Sequence, residues 1–400
     1  MHPILVQKYG GSSVADVEKI QRVAARVART RESGKRVVVV VSAMGDTTDE
    51  LLALARKVSP DPHRRELDML LTAGERISMA LLGMALHARG VEAVSFTGSQ
   101  SGIITDGAHT NARILEVRPV RILEELARGR VVIVAGYQGV SREREVTTLG
   151  RGGSDTTAVA LAAALEAEAC EICSDVDGVF TADPRLVPAA RKLLALSHEE
   201  MQELSLSGAK VLNAQAVEFA RDKGIAIHAL STFGPGTGTR IAARVPSEQR
   251  ELRVSGVALE PDLLVLRGAG GAAELEQLGA LLSRHGAWPR ELWADDACAR
   301  ALVPLENVHG LAALLSELRA RAPRVVVEEG QAQVSVVGTG IGASREPLAR
   351  ALQALPAPPA GVRVLPLRLA LLVPRAAGAE CLRRLHAEFI EKVPLQEQDA

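Results

Sequence analysis

Ile4-Leu5-Val6-Gln7-Lys8-Tyr9-Gly10-Gly11-Ser12-Ser13 decides how the rest of the chain is read. The mostly apolar run at 4–8 reads as a strand buried on both faces, the mark of a parallel sheet covered by helices. Gly10 and Gly11 then turn the chain into a helix. In that helix Ile20, Val23, Ala24 and Val27 recur at i, i+3, i+4 and i+7, and Ser13 with Asp16 gives an S-x-x-D start. A glycine turn at a helix start leaves backbone N–H groups able to hold phosphate, with Lys8 beside them. The stretch is not a Walker A loop, since no G-x-x-x-x-G-K-S/T occurs. Taken alone it reads equally as a plain strand-to-helix turn.

Outward from this stretch, strand-like runs at 37–42, 91–96, 131–135, 171–175 and 225–230 alternate with helical patterns. That alternation predicts an α/β domain with a mainly parallel sheet. Phe233-Gly234-Pro235-Gly236-Thr237-Gly238-Thr239 and then Val245-Pro246-Ser247 mark a boundary. Beyond it, short strands at 263–266, 324–328, 333–337 and 363–372 interleave with helices at 272–283, 308–321, 345–355 and 380–389. Those runs predict two small α+β units, with domains at 1–245, 246–322 and 323–400. At about 150 residues per domain the length agrees.

Composition excludes several classes. With 47 Lys+Arg against 48 Asp+Glu there is no nucleic-acid footprint, and 2% aromatics leave little for base stacking. No apolar run of membrane-spanning length and no signal-peptide pattern occurs, so a cytoplasmic protein without a membrane or nucleic-acid partner is expected. Cys170 and Cys173 form a C-x-x-C inside an apolar strand, with no second ligand pair at zinc spacing, so both read as core thiols.

Two more segments offer chemistry. Thr147-Thr148-Leu149-Gly150-Arg151-Gly152-Gly153-Ser154-Asp155 gathers glycines, an arginine and an aspartate at another helix start, which favours an anion site, and Arg151 can grip a carboxylate bidentately. Ser174-Asp175-Val176-Asp177-Gly178 follows a strand, on the edge where open α/β sheets bind ligands. Glu75 in Thr72-Ala73-Gly74-Glu75-Arg76 and Lys210 read by default as a capping acid and a solvated lysine. Gly338-Thr339-Gly340-Ile341-Gly342-Ala343 fits the dinucleotide fingerprint, but no acid for a ribose follows about 20 residues on, so that reading fails.

Taken in order, 8–13, Val41-Ser42-Ala43-Met44-Gly45-Asp46-Thr47-Thr48, 72–76, Phe96-Thr97-Gly98-Ser99-Gln100, 150–155 and 174–178 resemble the catalytic domain of the aspartokinases, in the amino acid kinase family. The resemblance covers about 3–240. It implies a three-layer αβα sandwich followed by two ACT-like, ferredoxin-like units. It also implies ATP-dependent phosphorylation of the L-aspartate side chain to 4-phospho-L-aspartate, the entry to lysine, threonine and methionine. ATP and Mg²⁺ are the implied cofactors, the metal held mainly through the ATP phosphates, with no protein metal site.

By the same resemblance Lys8 stabilises the transferring phosphoryl group and Asp155 organises the site. Aspartate meets Ser42, Thr47, Glu75, Arg151, Gly152, Gly153 and Ser154. ATP meets Lys8, Tyr9, Gly10, Gly11, Ser174, Asp175, Phe180, Thr181, Ala182, Asp183, Pro184, Arg185 and Lys210. A homodimer or higher homo-oligomer is implied, with lysine or threonine as effector of the ACT-like units. The openings of those units are Val254-Ser255-Gly256-Val257-Ala258 and Val334-Ser335-Val336-Val337-Gly338. The D-x-P-G turn of such units is replaced here by Gly268-Ala269-Gly270-Gly271, and Leu365-Pro366-Leu367-Arg368-Leu369 stands in place of an S-T-S-E-I stretch. Effector contacts depend on those turns. The other readings weighed are a family kinase for glutamate, acetylglutamate, carbamate or UMP, and a silent ACT-bearing regulatory protein.

Overall fold

The computed structural model describes residues 2–150, 152–243, 252–308 and 310–392. The chain divides into two compact units, one of 1–179, 192–202 and 210–247, the other of 180–191, 203–209 and 248–400. Sequence reading places 180–191 and 203–209 with the N-terminal domain. The division places them with the C-terminal segment.

The first unit is built on an eight-stranded sheet in the order Ala195–Ser197, Thr239–Ala242, Ile227–Ser231, Ala169–Ser174, Ile4–Tyr9, Arg36–Val41, Val131–Ala135, Ala93–Phe96. Every pairing is parallel except Ile227–Ser231 with Thr239–Ala242. Lys8 stands near the middle, level with Val40 on one side and Ile172 on the other. The pleat explains the run of valines at 37–41. Val37, Val39 and Val41 join Ile20, Val23 and Val27 of helix Val17–Glu32 and Leu82 and Leu86 of helix Arg64–His87 in one core. Val40 faces the other side, toward Gly136 and Ser154 of helix Gly153–Ala164. That helix is Ala-rich because it is covered by the sheet and by helix Ala214–Lys223, and residues 158–162 are all buried. These layers make the αβα sandwich, and both core thiols lie within it.

Helix Arg64–His87 is long and apolar enough by composition to cross a membrane. Here it is a core helix, packed on the sheet and on helix Val17–Glu32. A separate four-stranded sheet (Ile114–Val117, Ile103–Thr105, Gln138–Ser141, Val146–Thr148) is not legible in sequence, because strands of three or four residues show too little periodicity.

The second unit holds a six-stranded antiparallel sheet in the order Glu291–Ala294, Ala299–Pro304, Arg253–Gly268, Val326–Thr339, Arg368–Pro374, Gly361–Leu365. Two strands are shared. Residues 263–268 begin one βαββαβ unit, which runs through helices Gly271–Arg284 and Leu311–Arg321 and ends in the first half of Val326–Thr339. The second half of that strand begins the other, with helices Glu346–Ala354 and Gly378–His386, and 253–260 supplies its fourth strand. The register shifts between Glu260 and Leu263, where Pro261 cannot donate to a ladder. The glycines at 338–342 serve packing: a Cβ on Gly338 would lie 2.1 Å from Arg253 O, and one on Gly342 2.3 Å from Leu365 O.

Candidate active site

The central strand ends by delivering Lys8, and the Gly153–Ala164 helix begins by delivering Asp155 in its first turn. Lys8 Nζ and Asp155 Oδ1 are 2.7 Å apart, with side chains 13% and 10% exposed. An ion pair this dry is worth most when both partners are held, and the elements on either side fix both backbones. Asp155 Oδ2 also accepts the Asn213 N–H at 3.4 Å. Asn213 caps helix Ala214–Lys223 by accepting from Gln215 and Ala216 N–H, so the cap of one helix meets the first turn of another.

Gly10 and Gly11 run past this pair. A Cβ on Gly10 would lie 3.4 Å from Lys8 Nζ, and one on Gly11 would lie 3.0 Å from both Ala43 O and Gly45 O. The two turns are tied by Ser42 N–H to Tyr9 O at 3.1 Å and Gly45 N–H to Gly11 O at 3.1 Å. Ser13 Oγ meets Thr232 Oγ1 at 2.6 Å, pinning the first turn to the loop after Ile227–Ser231. Tyr9 itself is fully buried and its hydroxyl donates to Gln7 Oε1, so what it can show a ligand is backbone.

On the far side of loop 42–46 stands Glu75. Its Oε1 accepts Ala43 N–H at 3.2 Å, and its buried Oε2 has no hydrogen-bond partner among the described residues. Burial pushes this carboxyl up to about 7. Gly74 lets the loop approach, since a Cβ there would come within 2.7 Å of Ala43 Cβ. Thr47 starts the next helix and its hydroxyl donates to Met44 O at 2.6 Å. Ser154 is buried beneath Gly136, Gly152 is left-handed at φ 74°, and Gly153 opens the helix. Arg151 lies outside the described residues. The fold therefore brings Lys8, Asp155, Gly10, Gly11, Ser42, Thr47 and Glu75 into one run of contacts, with Gly152 to Ser154 at the start of the Asp155 helix.

Ser174 closes a small turn with Val176, Asp175 is exposed, and Lys210 is exposed in the same unit. Phe180, Thr181, Ala182, Asp183, Pro184 and Arg185 fall in the second unit. There Thr181 Oγ1 meets His386 Nε2 at 2.9 Å, Thr181 O accepts Val257 N–H, and Ala182 joins the apolar core. Asp183 and Arg185 pair at 2.7 Å. Among the described residues no group of three or more His, Cys, Asp or Glu is placed to hold a metal.

Sequence reading misses Asp68, Gly136 and Asn213. Asn213 carries a signal, an N-cap residue before a helical run. Asp68, inside a helical pattern, carries none.

Comparison with known proteins supplies the family. Residues 3–231 match the model of the amino acid kinase family. The aspartokinase of Thermus thermophilus is 42% identical, over 96% of this chain and 98% of its own length. That of Mycolicibacterium smegmatis is 59% identical over 60% of this chain, and the match spans only 58% of that relative's length. Among solved structures, E. coli aspartokinase III in complex with aspartate and ADP (R-state) matches with a TM-score of 0.83 at 25% identity, over 96% of this chain and 99% of that one. Its complex with lysine and aspartate (T-state) gives 0.75 at 25% identity, over 97% and 99%. The chain belongs to the amino acid kinase family, on its aspartokinase branch.

Proposed function

We propose that this protein is an aspartate kinase, transferring the γ-phosphoryl group of ATP to the side-chain carboxylate of L-aspartate. The observation that carries the reading is the dry Lys8–Asp155 pair, its ammonium lodged against the Gly10 turn where only hydrogen stands between it and the backbone. Such a cation beside a glycine turn at a helix start is built for phosphate rather than for a neutral ligand.

The acceptor needs no base. A side-chain carboxylate with a reference pKa of about 3.9 is ionised at neutral pH. Its oxygen attacks the γ-phosphorus, the bond to the bridging oxygen breaks, and ADP leaves with that electron pair. Lys8 neutralises charge gathering on the transferring group, and Asp155 holds the ammonium in place. Glu75 offers its unpaired oxygen to the substrate ammonium, and Arg151 its guanidinium to the α-carboxylate. Ser42, Thr47, Gly152, Gly153 and Ser154 surround the acceptor. The Tyr9 backbone, Gly10, Gly11, Ser174, Asp175 and Lys210 serve ATP. Mg²⁺ would enter with ATP, held mainly through its phosphates, and would supply charge neutralisation there.

The test is an ATP/Mg²⁺ assay trapping acyl phosphate as hydroxamate, run with aspartate, glutamate and acetylglutamate. Turnover with aspartate alone is expected. Turnover with another acid and none with aspartate, or no turnover from folded protein that binds ATP, overturns the reading.

A further inference from the structure

Helix Arg64–His87 carries a buried polar stripe of Asp68, Thr72, Glu75 and Ser78, none more than 3% exposed. Spacings of four, three and three place all of them on one helical face. A stripe like this is a costly way to pack a helix unless each group is paired. Ser78 Oγ donates to Ser42 O at 2.7 Å, Glu75 accepts from Ala43 N–H, and the Thr72 hydroxyl donates to Met69 O at 3.0 Å. Glu75 is the acceptor-site acid. Asp68 lies two turns before it and has no assigned part.

Asp68 is the most heavily engaged of the stripe. Its Oδ2 lies 2.6 Å from His109 Nδ1, its two oxygens 3.0 and 3.2 Å from Thr110 N, and its Oδ1 accepts the Thr148 hydroxyl at 2.6 Å. Thr110 is left-handed at φ 67°, a conformation that is strained for a β-branched residue and persists only where its surroundings hold it. The next residue, Asn111, lies against Gly150: a Cβ on Gly150 would be 2.8 Å from Asn111 Oδ1. Ala112 N–H donates to Thr148 O at 2.8 Å. One buried carboxylate thus gathers loop 106–112 and the end of strand Val146–Thr148, and both lead to Gly150.

We propose that Asp68 is a positioning residue for the acceptor site, setting Gly150 and with it the Gly152–Gly153 helix start through His109, Thr110 and Thr148. This rests on the reading that the 150–153 turn receives aspartate. Asp68 touches no substrate; it fixes the segments that frame the turn, so the loss falls on acceptor affinity more than on phosphate chemistry.

The experiment compares wild type, Asp68→Asn, His109→Ala and His109→Asn as full chains, by steady-state kinetics, by thermal melting and by hydrogen exchange of 106–112 and 146–150. In Asp68→Asn and His109→Ala the aspartate KM is expected to rise about tenfold, with the ATP KM changing less than about twofold, and the two segments to exchange faster. His109→Asn places an amide N–H near the Nδ1 position and is expected to recover most of what His109→Ala loses. A lower Tm with both KM values unchanged makes Asp68 an ordinary core group and overturns the proposal. If Asp68→Asn does not fold, the His109 pair decides in the same way. If wild type phosphorylates another acid, the aspartate reading falls, and unchanged exchange protection in the variants overturns the positioning role independently.

Discussion

Lys8 Nζ and Asp155 Oδ1 meet at 2.7 Å across the end of the central strand and the first turn of helix Gly153–Ala164, nearly nine-tenths withdrawn from water. Asp155 holds Lys8 and is itself favoured by the helix start. Lys8→Ala is expected to lower kcat by about 10²–10³-fold while aspartate KM moves far less, because the ammonium matters most as phosphate charge shifts. Steady-state kinetics decide it, and an unchanged kcat refutes the role. Asp155→Ala strands a largely desolvated ammonium and is expected to cost about 3 kcal/mol of stability, read in a urea melt.

Glu75 gives a pH signature. Burial raises its folded pKa to about 7 from an ordinary value of 4.5. The folded state therefore binds this proton more tightly than the unfolded chain. Stability from this group is full below about pH 4.5, declines as pH rises, and is lost above about pH 7. The shift corresponds to about 3 kcal/mol. Binding the substrate ammonium requires the ionised form, so kcat/KM for aspartate is expected to rise through pH 7 and level off. Glu75→Gln flattens the stability profile, increases stability at pH 8 and raises aspartate KM. A pH-independent kcat/KM between 6 and 8 in wild type contradicts this account.

How much of this is legible in sequence depends on range. The strand at 4–9 announces itself because both faces are buried and its residues are apolar, and the glycines at 10 and 11 announce the turn. The Lys8–Asp155 contact joins residues far apart in the chain, and only the resemblance brings them together. Asp68 is illegible because a lone acid in a helical pattern looks like a solvated face; its burial depends on His109 and Thr148, which the short four-stranded sheet positions. The shared strand Arg253–Gly268 shows in sequence as two separate runs, 254–258 read as the opening of the first unit and 263–266 as a strand, since nothing local says that 253–260 pairs with 333–339 and completes the second unit instead. The packing of Thr181 against His386 and of Ala182 in the apolar core of the second unit is equally long-range, and nothing local in the 180–185 motif announces it.

Gly152 is a sharp mutational probe. It sits at φ 74°, and a Cβ there would lie 2.1 Å from Asn213 Nδ2. Gly152→Ala is expected to cost about 1–2 kcal/mol from the backbone alone, and more if Asn213 cannot yield. Because Asn213 N–H also reaches Asp155, kcat should fall with stability. Adding Asn213→Ser, which keeps a capping oxygen on a shorter side chain, should restore part of both. If the double variant is no better than Gly152→Ala alone, the clash with Asn213 is not the cause.

The C-terminal unit carries the last prediction. In the turn Gly268-Ala269-Gly270-Gly271, the Glu274 side chain folds back over the glycines: a Cβ on Gly268 would lie 2.3 Å from Glu274 Cδ, and one on Gly270 2.9 Å from its Oε2. The start of helix Gly271–Arg284 thus already carries a carboxylate from its own first turn, whose charge favours the positive end of the helix although its buried Oε2 makes no hydrogen bond among the described residues. An effector that brings its own carboxylate to this turn must displace Glu274 and meet a like charge. Lysine and threonine, alone or together, are therefore expected to leave the rate of hydroxamate formation unchanged at millimolar concentration. Inhibition by either amino acid that persists in Glu274→Ala would place the effector elsewhere in the unit and remove the turn as the reason. Inhibition that appears only in Glu274→Ala would identify the Glu274 carboxylate as the group that excludes it.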